Sequence, residues 1–267
     1  MKIAHEAPLS IFEEVSSLTD YDYALVHLFE ESDEYFKSFK NKVAAGREVI
    51  LDNSIFEIGE AFEASRYCHW IRELSPTWYI IPDALENKNQ TLSNMEDWFI
   101  NYDHLVSGKS IGVVQGKNYT EVVECYQSMK DRVDKIAISF DYSFFTEWFP
   151  YETNKYHSYM RGRQALIRMM LEDKVIDITK PHHLLGCGLP QEFQAYRDME
   201  WIDSLDTSNP VVHGILGIKY SDDGLENKSS VKLFTLIDNE VVDRLSDIEY
   251  NIAKFKEFTK SEEVAIA

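Results

Sequence analysis

The chain has 267 residues, of which 44% are hydrophobic and 27% are charged, and these values exclude a disordered or fibrous protein. Its formal net charge of −19 argues against a broad cationic face for nucleic acid or a membrane, although a local basic groove remains compatible with it. The length suits one large α/β barrel or two smaller domains.

The positions of the cysteines and the lengths of the apolar segments further limit the class of protein. Cys68, Cys125 and Cys187 lie far apart and form no Cys-x-x-Cys pair, which disfavours a compact cysteine–zinc site and a disulfide framework. Residues 1–15 lack the apolar segment of a signal peptide, and no segment approaches the roughly 18 apolar residues of a membrane span. We therefore expect a soluble, cytoplasmic protein.

Short apolar or β-branched segments recur along the chain, as is typical of parallel strands covered on both faces. In chain order they are residues 23–29, 48–54, 77–83, 110–116, 135–141, 182–188 and 201–208. An eighth strand is predicted at 211–219. Helical spacing occupies residues 61–71 and 122–133, with Ser75-Pro76 and Asn118 as boundary signals.

Alternation of strands and helices over most of the chain predicts parallel βαβ units, and eight of them make a (β/α)8 TIM barrel of ordinary length. A doubly wound open sheet is the alternative, but no Gly-x-Gly-x-x-Gly follows the first strand. Residues 233–258 are predicted to be helical and to complete the outer ring. Because no linker-like segment interrupts the pattern, we predict one domain over residues 1–267.

Polar residues follow six of the predicted strands in succession. They are Asp52, Asn53 and Ser54; Asp83; Gln115 and Gly116; Ser139 and Asp141; Gly186 and Gly188; and Asp206, Thr207 and Ser208. Any one of them is explained by a helix cap or a turn. Six in succession favour a pocket, because the carboxyl ends of barrel strands meet at one mouth.

The residue types in this set leave more than one chemistry open. Two carboxylates at one mouth suit acid–base or nucleophilic attack at a sugar carbon. Four of them, Asp52, Asp83, Asp141 and Asp206, also suit a hard cation such as Mg²⁺. Glycines at 116, 186 and 188 allow a flat ligand or a phosphate to approach the backbone. The residues alone thus predict a barrel enzyme with an acidic, polar pocket.

Four motifs occur in a fixed order between residues 50 and 210. They are LDNSIF at 51–56, GVVQG at 112–116, KPHHLLGCG at 180–188 and SLDTS at 204–208. Their order and placement resemble the tRNA-guanine transglycosylase superfamily, a group of (β/α)8 barrels that exchange guanine for a 7-deazaguanine base.

The chain also departs from that pattern. Ser54-Ile55 stands where the family has a diglycine, Glu57 replaces a glutamine, and the family's glycines are not evident at 136–141. The family's C-terminal zinc motif has no counterpart. These departures favour the branch that resembles the DNA 7-deazaguanine transglycosylases of phages and bacterial modification islands. That branch implies DNA as partner, or alternatively tRNA, a free base such as 7-cyano-7-deazaguanine, and no metal or other cofactor.

The resemblance implies a role for each matching residue. Asp206 would be the nucleophile and Asp52 the general acid and base. Phe56 would stack on the base, and Asp83 would accept hydrogen bonds from the guanine N1–H and amino group. Further base-binding residues implied in this way are Gln115, Gly116, Ser139, Leu185, Gly186 and Gly188, with Asp141 as an additional pocket candidate.

A nucleic-acid path is expected where basic residues are densest. Arg161, Arg163 and Lys180 are the candidate phosphate contacts, in a segment that also holds Arg168, Lys174, His182 and His183. A solvated helix face explains the same pattern. Because the target base must reach a buried pocket, base flipping or a single-stranded substrate is expected.

Three other functions remain open from the sequence. A base-releasing glycosidase would use the same residues, with water in place of the incoming base. A catalytically silent binding subunit of the same fold is disfavoured because Asp52 and Asp206 are both present. A metal-dependent barrel hydrolase would use the carboxylate cluster.

Overall fold

Eight parallel strands form one sheet that curves into a nearly closed barrel, with helices between successive strands. The computed structural model describes residues 1–260. The eight parallel strands and the helices between them confirm the predicted (β/α)8 architecture. Within the described residues, no helix combines the length and the apolar character that crossing a membrane requires.

The strands are three to six residues long, and the helices between them are more variable. The strands are β1 (Lys2–Ala4), β2 (Asp22–Leu25), β3 (Val49–Asp52), β4 (Trp78–Ile80), β5 (Lys109–Val114), β6 (Lys135–Ser139), β7 (His182–Leu185) and β8 (Ile202–Asp206). The α-helices are α1 (Phe12–Ser17), α2 (His27–Glu31), α3 (Asp33–Ala44), α4 (Ile55–Ile58), α5 (Ala64–Leu74), α6 (Lys88–Asn101), α7 (Tyr119–Met129), α8 (Phe144–Trp148), α9 (Lys155–Glu172), α10 (Asn209–Ile215) and α11 (Leu245–Thr259). Short 3-10 helices span Leu9–Ile11, Asp103–Leu105, Pro190–Tyr196, Leu233–Leu236 and Val242–Arg244.

Hydrogen bonding runs around the sheet in the order β1-β8-β7-β6-β5-β4-β3-β2, so β1 and β2 lie at its two ends. Side-chain and loop contacts join these ends. The Ile3 N–H donates to Asp20 Oδ2 at 2.8 Å, and the Ile3 carbonyl accepts from the Asp20 N–H at 2.9 Å. The Tyr21 hydroxyl donates to the Leu205 carbonyl at 2.6 Å. Asp20, just before β2, therefore connects the two ends of the sheet through its hydrogen bonds to Ile3 of β1.

Both predicted helical segments are helices, and the boundary signals act as expected. The segment at 61–71 becomes α5, which ends at Leu74 and is followed by Ser75 in a left-handed conformation with φ 58°. The segment at 122–133 becomes α7, where the Asn118 side chain accepts from the Glu121 N–H at 3.0 Å. Such a cap satisfies one of the free N–H groups in the first turn of a helix.

The predicted eighth strand at 211–219 is wrong. Residues Asn209–Ile215 form α10 instead, with Pro210 in its first turn, where the missing N–H and fixed φ of proline suit a helix start. The eighth strand is β1, which pairs with β8. Its three residues are too few to show a periodic pattern in the sequence. The predicted strands two to seven are accordingly β3 to β8.

The predicted C-terminal helix at 233–258 is confirmed only in its second half. Helix α11 begins at Leu245 and buries Ile248 and Phe255. The first half instead contains the two 3-10 helices that end at Leu236 and Arg244. Only the start of this first half lies at the mouth of the barrel, where Leu233 and Phe234 line a cavity.

Candidate active site

A cavity of about 110 Å³ lies at the carboxyl ends of the strands. The last residues of six strands line it: Leu25 of β2, Asp52 of β3, Ile80 of β4, Ser139 of β6, Leu185 of β7 and Asp206 of β8. The other predicted residues in its wall are Phe56, Asp83, Gln115 and Gly186. The structure thus brings together eight of the residues implied by the resemblance. Because all eight come from strand ends and the loops after them, the barrel itself places them.

Three predicted residues lie outside this wall. A side chain at Gly116 would meet the Val122 nitrogen at 2.7 Å, so the glycine there permits the close approach of α7. Gly188 lies against the Tyr156 carbonyl, 3.3 Å from the position of a Cβ. Asp141 lines a neighbouring cavity and accepts a hydrogen bond from Ser139 Oγ at 2.7 Å.

Asp206 is held through one of its two carboxylate oxygens. His183 Nε2 lies 3.0 Å from Oδ1, and the Gly186 N–H donates to the same oxygen at 3.3 Å. Among the described residues, no hydrogen bond engages Oδ2. The carboxylate is therefore fixed in orientation while one oxygen remains available to the cavity, an arrangement that suits a nucleophile.

A buried chain of polar groups behind Asp206 sets the tautomer of His183. Lys135, with no exposed surface, donates to Ser204 Oγ at 3.1 Å and to Asp203 Oδ2 at 2.6 Å. Ser204 Oγ lies 3.0 Å from His183 Nδ1. Since the ammonium group can only donate, the serine hydroxyl is free to donate its own proton to Nδ1. The Nε2–H form of His183 then donates to Asp206, and burial lowers the pKa of His183, which keeps the ring neutral.

Asp52 occupies a different environment from Asp206. The Tyr23 hydroxyl donates to its Oδ2 at 2.5 Å, and its Oδ1 accepts a short bond from the Ser54 N–H. Both bonds favour the ionised form, yet burial, helped by the charges of Asp206 and Asp83, raises the pKa of Asp52 to about 7. A carboxyl group with such a pKa gives and takes protons near neutral pH.

Asp83 and Gln115 form a fixed polar surface. Asp83 accepts from Asn53 Nδ2 at 2.8 Å and from Gln115 Nε2 at 2.7 Å, one bond to each oxygen. The Gln115 carbonyl oxygen accepts from the Glu86 N–H at 2.8 Å. Each Asp83 oxygen keeps room for another donor, and one Gln115 N–H remains for an acceptor. Burial raises the pKa of Asp83 to about 6. This surface can recognise a ligand that presents donors beside an acceptor.

Several other residues of the wall could not be singled out from the sequence. Glu6, Tyr23, Glu57 and Lys228 also line the cavity. Burial and neighbouring carboxylates raise the pKa of Glu57 to about 8 and that of Glu6 well above its ordinary value. Glu6 follows the unrecognised strand β1, and Tyr23 lies inside a predicted strand whose inward face could not be read. Lys228 comes from an irregular loop that carries no sequence signal.

The carboxylates of the cavity do not form a ligand set. Over residues 1–260, no group of three or more His, Cys, Asp or Glu side chains is placed to hold a metal ion. Asp52 and Asp83 are instead engaged by Tyr23, Asn53 and Gln115, as described above. The magnesium hypothesis therefore gains no support from the geometry.

The structure does not bring the three predicted phosphate contacts together. Arg163 has no exposed surface and lies 2.6 Å from Glu192 in a buried ion pair. Arg161, on the same helix, is exposed and paired with Glu152 at 2.6 Å. Lys180 precedes β7, at the end of the barrel opposite the cavity, and donates to the Val133 carbonyl at 2.5 Å.

No protein-family model matches this chain, and a search of curated proteins returns no significant match. The fold and the site by themselves define a (β/α)8 barrel with a carboxyl-lined pocket at the carboxyl ends of its strands. Within the pocket, one carboxylate presents a free oxygen, a second carboxyl titrates near neutrality, and a third belongs to a rigid hydrogen-bonding surface.

Proposed function

We propose that the protein is a base-exchange transglycosylase that replaces guanine in DNA with a 7-deazaguanine derivative. The observation that carries the proposal is the division of roles between two carboxyl groups of one cavity. Asp206 is oriented through Oδ1 with Oδ2 free, whereas Asp52 has a pKa of about 7. A nucleophile and a proton-transfer group are what a double displacement at a sugar carbon needs.

In the first displacement, Asp206 Oδ2 attacks C1′ of the target nucleotide, and the bond from C1′ to the guanine N9 breaks. Asp52 gives its proton to the departing guanine and becomes ionised. The His183 Nε2–H and the Gly186 N–H remain on Oδ1, which becomes the carbonyl oxygen of the glycosyl ester. The product of this step is a covalent glycosyl-aspartate.

In the second displacement, the incoming base loses its N9 proton to Asp52 and its N9 attacks C1′. The bond from C1′ to Asp206 Oδ2 breaks, which restores the free carboxylate. Because each step inverts C1′, the two together retain the configuration of the sugar. No group other than Asp52 needs to carry the proton between the two steps.

The surface of Asp83 and Gln115 supports a guanine-like base. The N1–H and amino group of guanine offer two donors on one edge, which suits the carboxylate of Asp83, and the adjacent O6 suits the free N–H of Gln115. Phe56 and Phe140 stand at the mouth with ring centroids 6.1 Å apart, and their faces suit a planar ring. The choice of DNA over tRNA rests on the sequence departures described above.

The test is incorporation of labelled guanine and of labelled 7-cyano-7-deazaguanine into DNA and into tRNA by the purified protein. We expect label in DNA, and a protein–DNA adduct on a denaturing gel when no free base is supplied. Asp206→Asn should abolish both, and the exposed Asp131→Asn should change neither.

Other outcomes are equally informative. Label confined to tRNA would replace the DNA assignment with the tRNA one. Release of guanine without any exchange would indicate a glycosidase. An adduct that persists in Asp206→Asn would show that another residue is the nucleophile.

A further inference from the structure

A second cavity, of about 290 Å³, opens beside the first. The two share part of their lining: Glu6, Leu25, Phe56, Glu57, Phe140, Ser208 and Lys228. The remaining wall comes from Asp141, from the segment 229–234 and from the first residues of α9. A ligand that fills the first cavity with its base can therefore extend into the second without leaving the protein surface.

Three lysines line this second cavity: Lys155, Lys228 and Lys232. In the described part of the chain, none of the three takes part in an ion pair. Lys228 Nζ donates to the Cys187 carbonyl at 2.6 Å, and Lys232 Nζ donates to the Phe56 carbonyl at 3.3 Å. Since an ammonium group has three donors, these lysines keep donors for a ligand.

Acidic residues also face the lysines, but they cancel less of the lysines' positive charge than their number indicates. Glu6, Glu57 and Asp141 line the same cavity. Burial and neighbouring carboxylates raise the pKa of Glu57 to about 8, so this carboxyl group is largely protonated at neutral pH, and they also raise the pKa of Glu6. Burial lowers the pKa of Lys228, whereas Lys155 and Lys232 are exposed to solvent. The three lysines of this cavity therefore face fewer opposing charges than the number of its acidic residues indicates, although the whole chain carries −19.

Aromatic rings alternate with these lysines. Lys228 Nζ lies 4.4 Å from the centre of the Phe140 ring, and Lys232 Nζ lies 4.9 Å from that of Phe56. Cations next to stacking surfaces are the usual design of a site for single-stranded nucleic acid, because the rings take bases and the cations take phosphates. A site for inorganic phosphate alone would need no such rings.

We propose that the second cavity binds a phosphate ester of the nucleotide whose base enters the first cavity, through Lys155, Lys228 and Lys232. The identity of that nucleotide as part of a DNA strand rests on the proposed function, whereas the binding of its phosphate does not. In this proposal the sugar–phosphate backbone of the nucleic acid passes through the second cavity and not along the segment around Arg163. It also explains how a strongly acidic chain can bind a polyanion, since the three lysines line one groove.

The experiment measures binding without chemistry, by fluorescence anisotropy of a short single-stranded guanine-containing oligonucleotide at several salt concentrations. We expect the double variant Lys155→Gln/Lys232→Gln to weaken binding about tenfold or more. The slope of log affinity against log salt concentration should become shallower by about 0.7 for each phosphate that is no longer neutralised. Lys37→Gln, an exposed lysine on α3, is the control for loss of charge and should change neither quantity. Unchanged binding in the double variant, or an equal loss in the control, would overturn the proposal.

Competition by deoxyguanosine and by its 5′-monophosphate identifies the source of the phosphate. The monophosphate should compete at least about tenfold better than the nucleoside, and this advantage should disappear in the double variant. Lysine-dependent binding of the monophosphate but not of the oligonucleotide would assign the cavity to a free nucleotide. Lysine-dependent binding of the oligonucleotide without base exchange would support the proposed phosphate site and refute the proposed function.

Discussion

Replacing Arg163 with methionine should lower the free energy of unfolding by about 3–5 kcal/mol, the usual cost of removing one partner of a buried ion pair. The guanidinium donates to Glu192 at 2.6 Å and to the carbonyls of Leu185 and Gly186 at 2.8 and 3.0 Å. Without it, these acceptors lose a donor, and among residues 1–260 the Glu192 carboxylate keeps just the hydrogen bond from the Tyr196 hydroxyl at 2.8 Å. Urea unfolding followed by circular dichroism measures the loss.

Two further variants separate the ion pair from other effects of the substitution. Arg161→Met on the same helix removes an exposed pair and should cost less than about 1 kcal/mol. Arg163→Met/Glu192→Leu removes both buried charges and should be more stable than Arg163→Met alone. An Arg163→Met protein within about 1 kcal/mol of the wild type would refute a structural role for this arginine and return it to the candidate phosphate contacts.

The remaining predictions concern Asp52, Asp206 and the side chains that orient them. Guanine release should slow as pH rises through about 7, because Asp52 then loses the proton it must give. Tyr23→Phe removes a bond that favours ionised Asp52, so the midpoint of this pH profile should move upward, and a downward move would contradict the assignment. Long-range ¹⁵N NMR should show His183 as the Nε2–H tautomer. Ser204→Ala should mix the tautomers and slow adduct formation by roughly tenfold to a hundredfold, whereas an Nδ1–H wild type would reverse the inferred direction of the bonds.

The fold was predictable from the sequence because its signals are local and repeated. Each of the seven observed strands from β2 to β8 coincides with a predicted apolar segment, and the predicted segments extend past the strand ends into the loops. The segment 23–29 shows why, since its apolar residues continue through Leu28 and Phe29 although the backbone turns into α2 after Leu25. Buried loop residues resemble strand residues in composition, so composition alone does not show where a strand ends.

The candidate site was predictable only where its residues follow strands. Asp52, Asp83 and Asp206 could be chosen because a polar residue after an apolar segment is visible in the sequence. Lys228 could not, since its position at the cavity depends on how an irregular loop packs over the barrel. Arg163 illustrates the opposite difficulty, because a buried arginine and a phosphate-binding one have the same sequence signature until the partner, here Glu192, is seen.

Because β1 pairs with β8, the candidate site can form only late in the synthesis of the chain. Ala4 lies opposite Asp206 in the β1–β8 ladder. The hydrogen bonds between β1 and β8 can therefore form only after β8 has been synthesised. At roughly 5–20 residues per second, a ribosome takes about 10–40 s to bridge that interval. The cavity between these strand ends cannot exist before then, although helices α1 to α9 have already been synthesised.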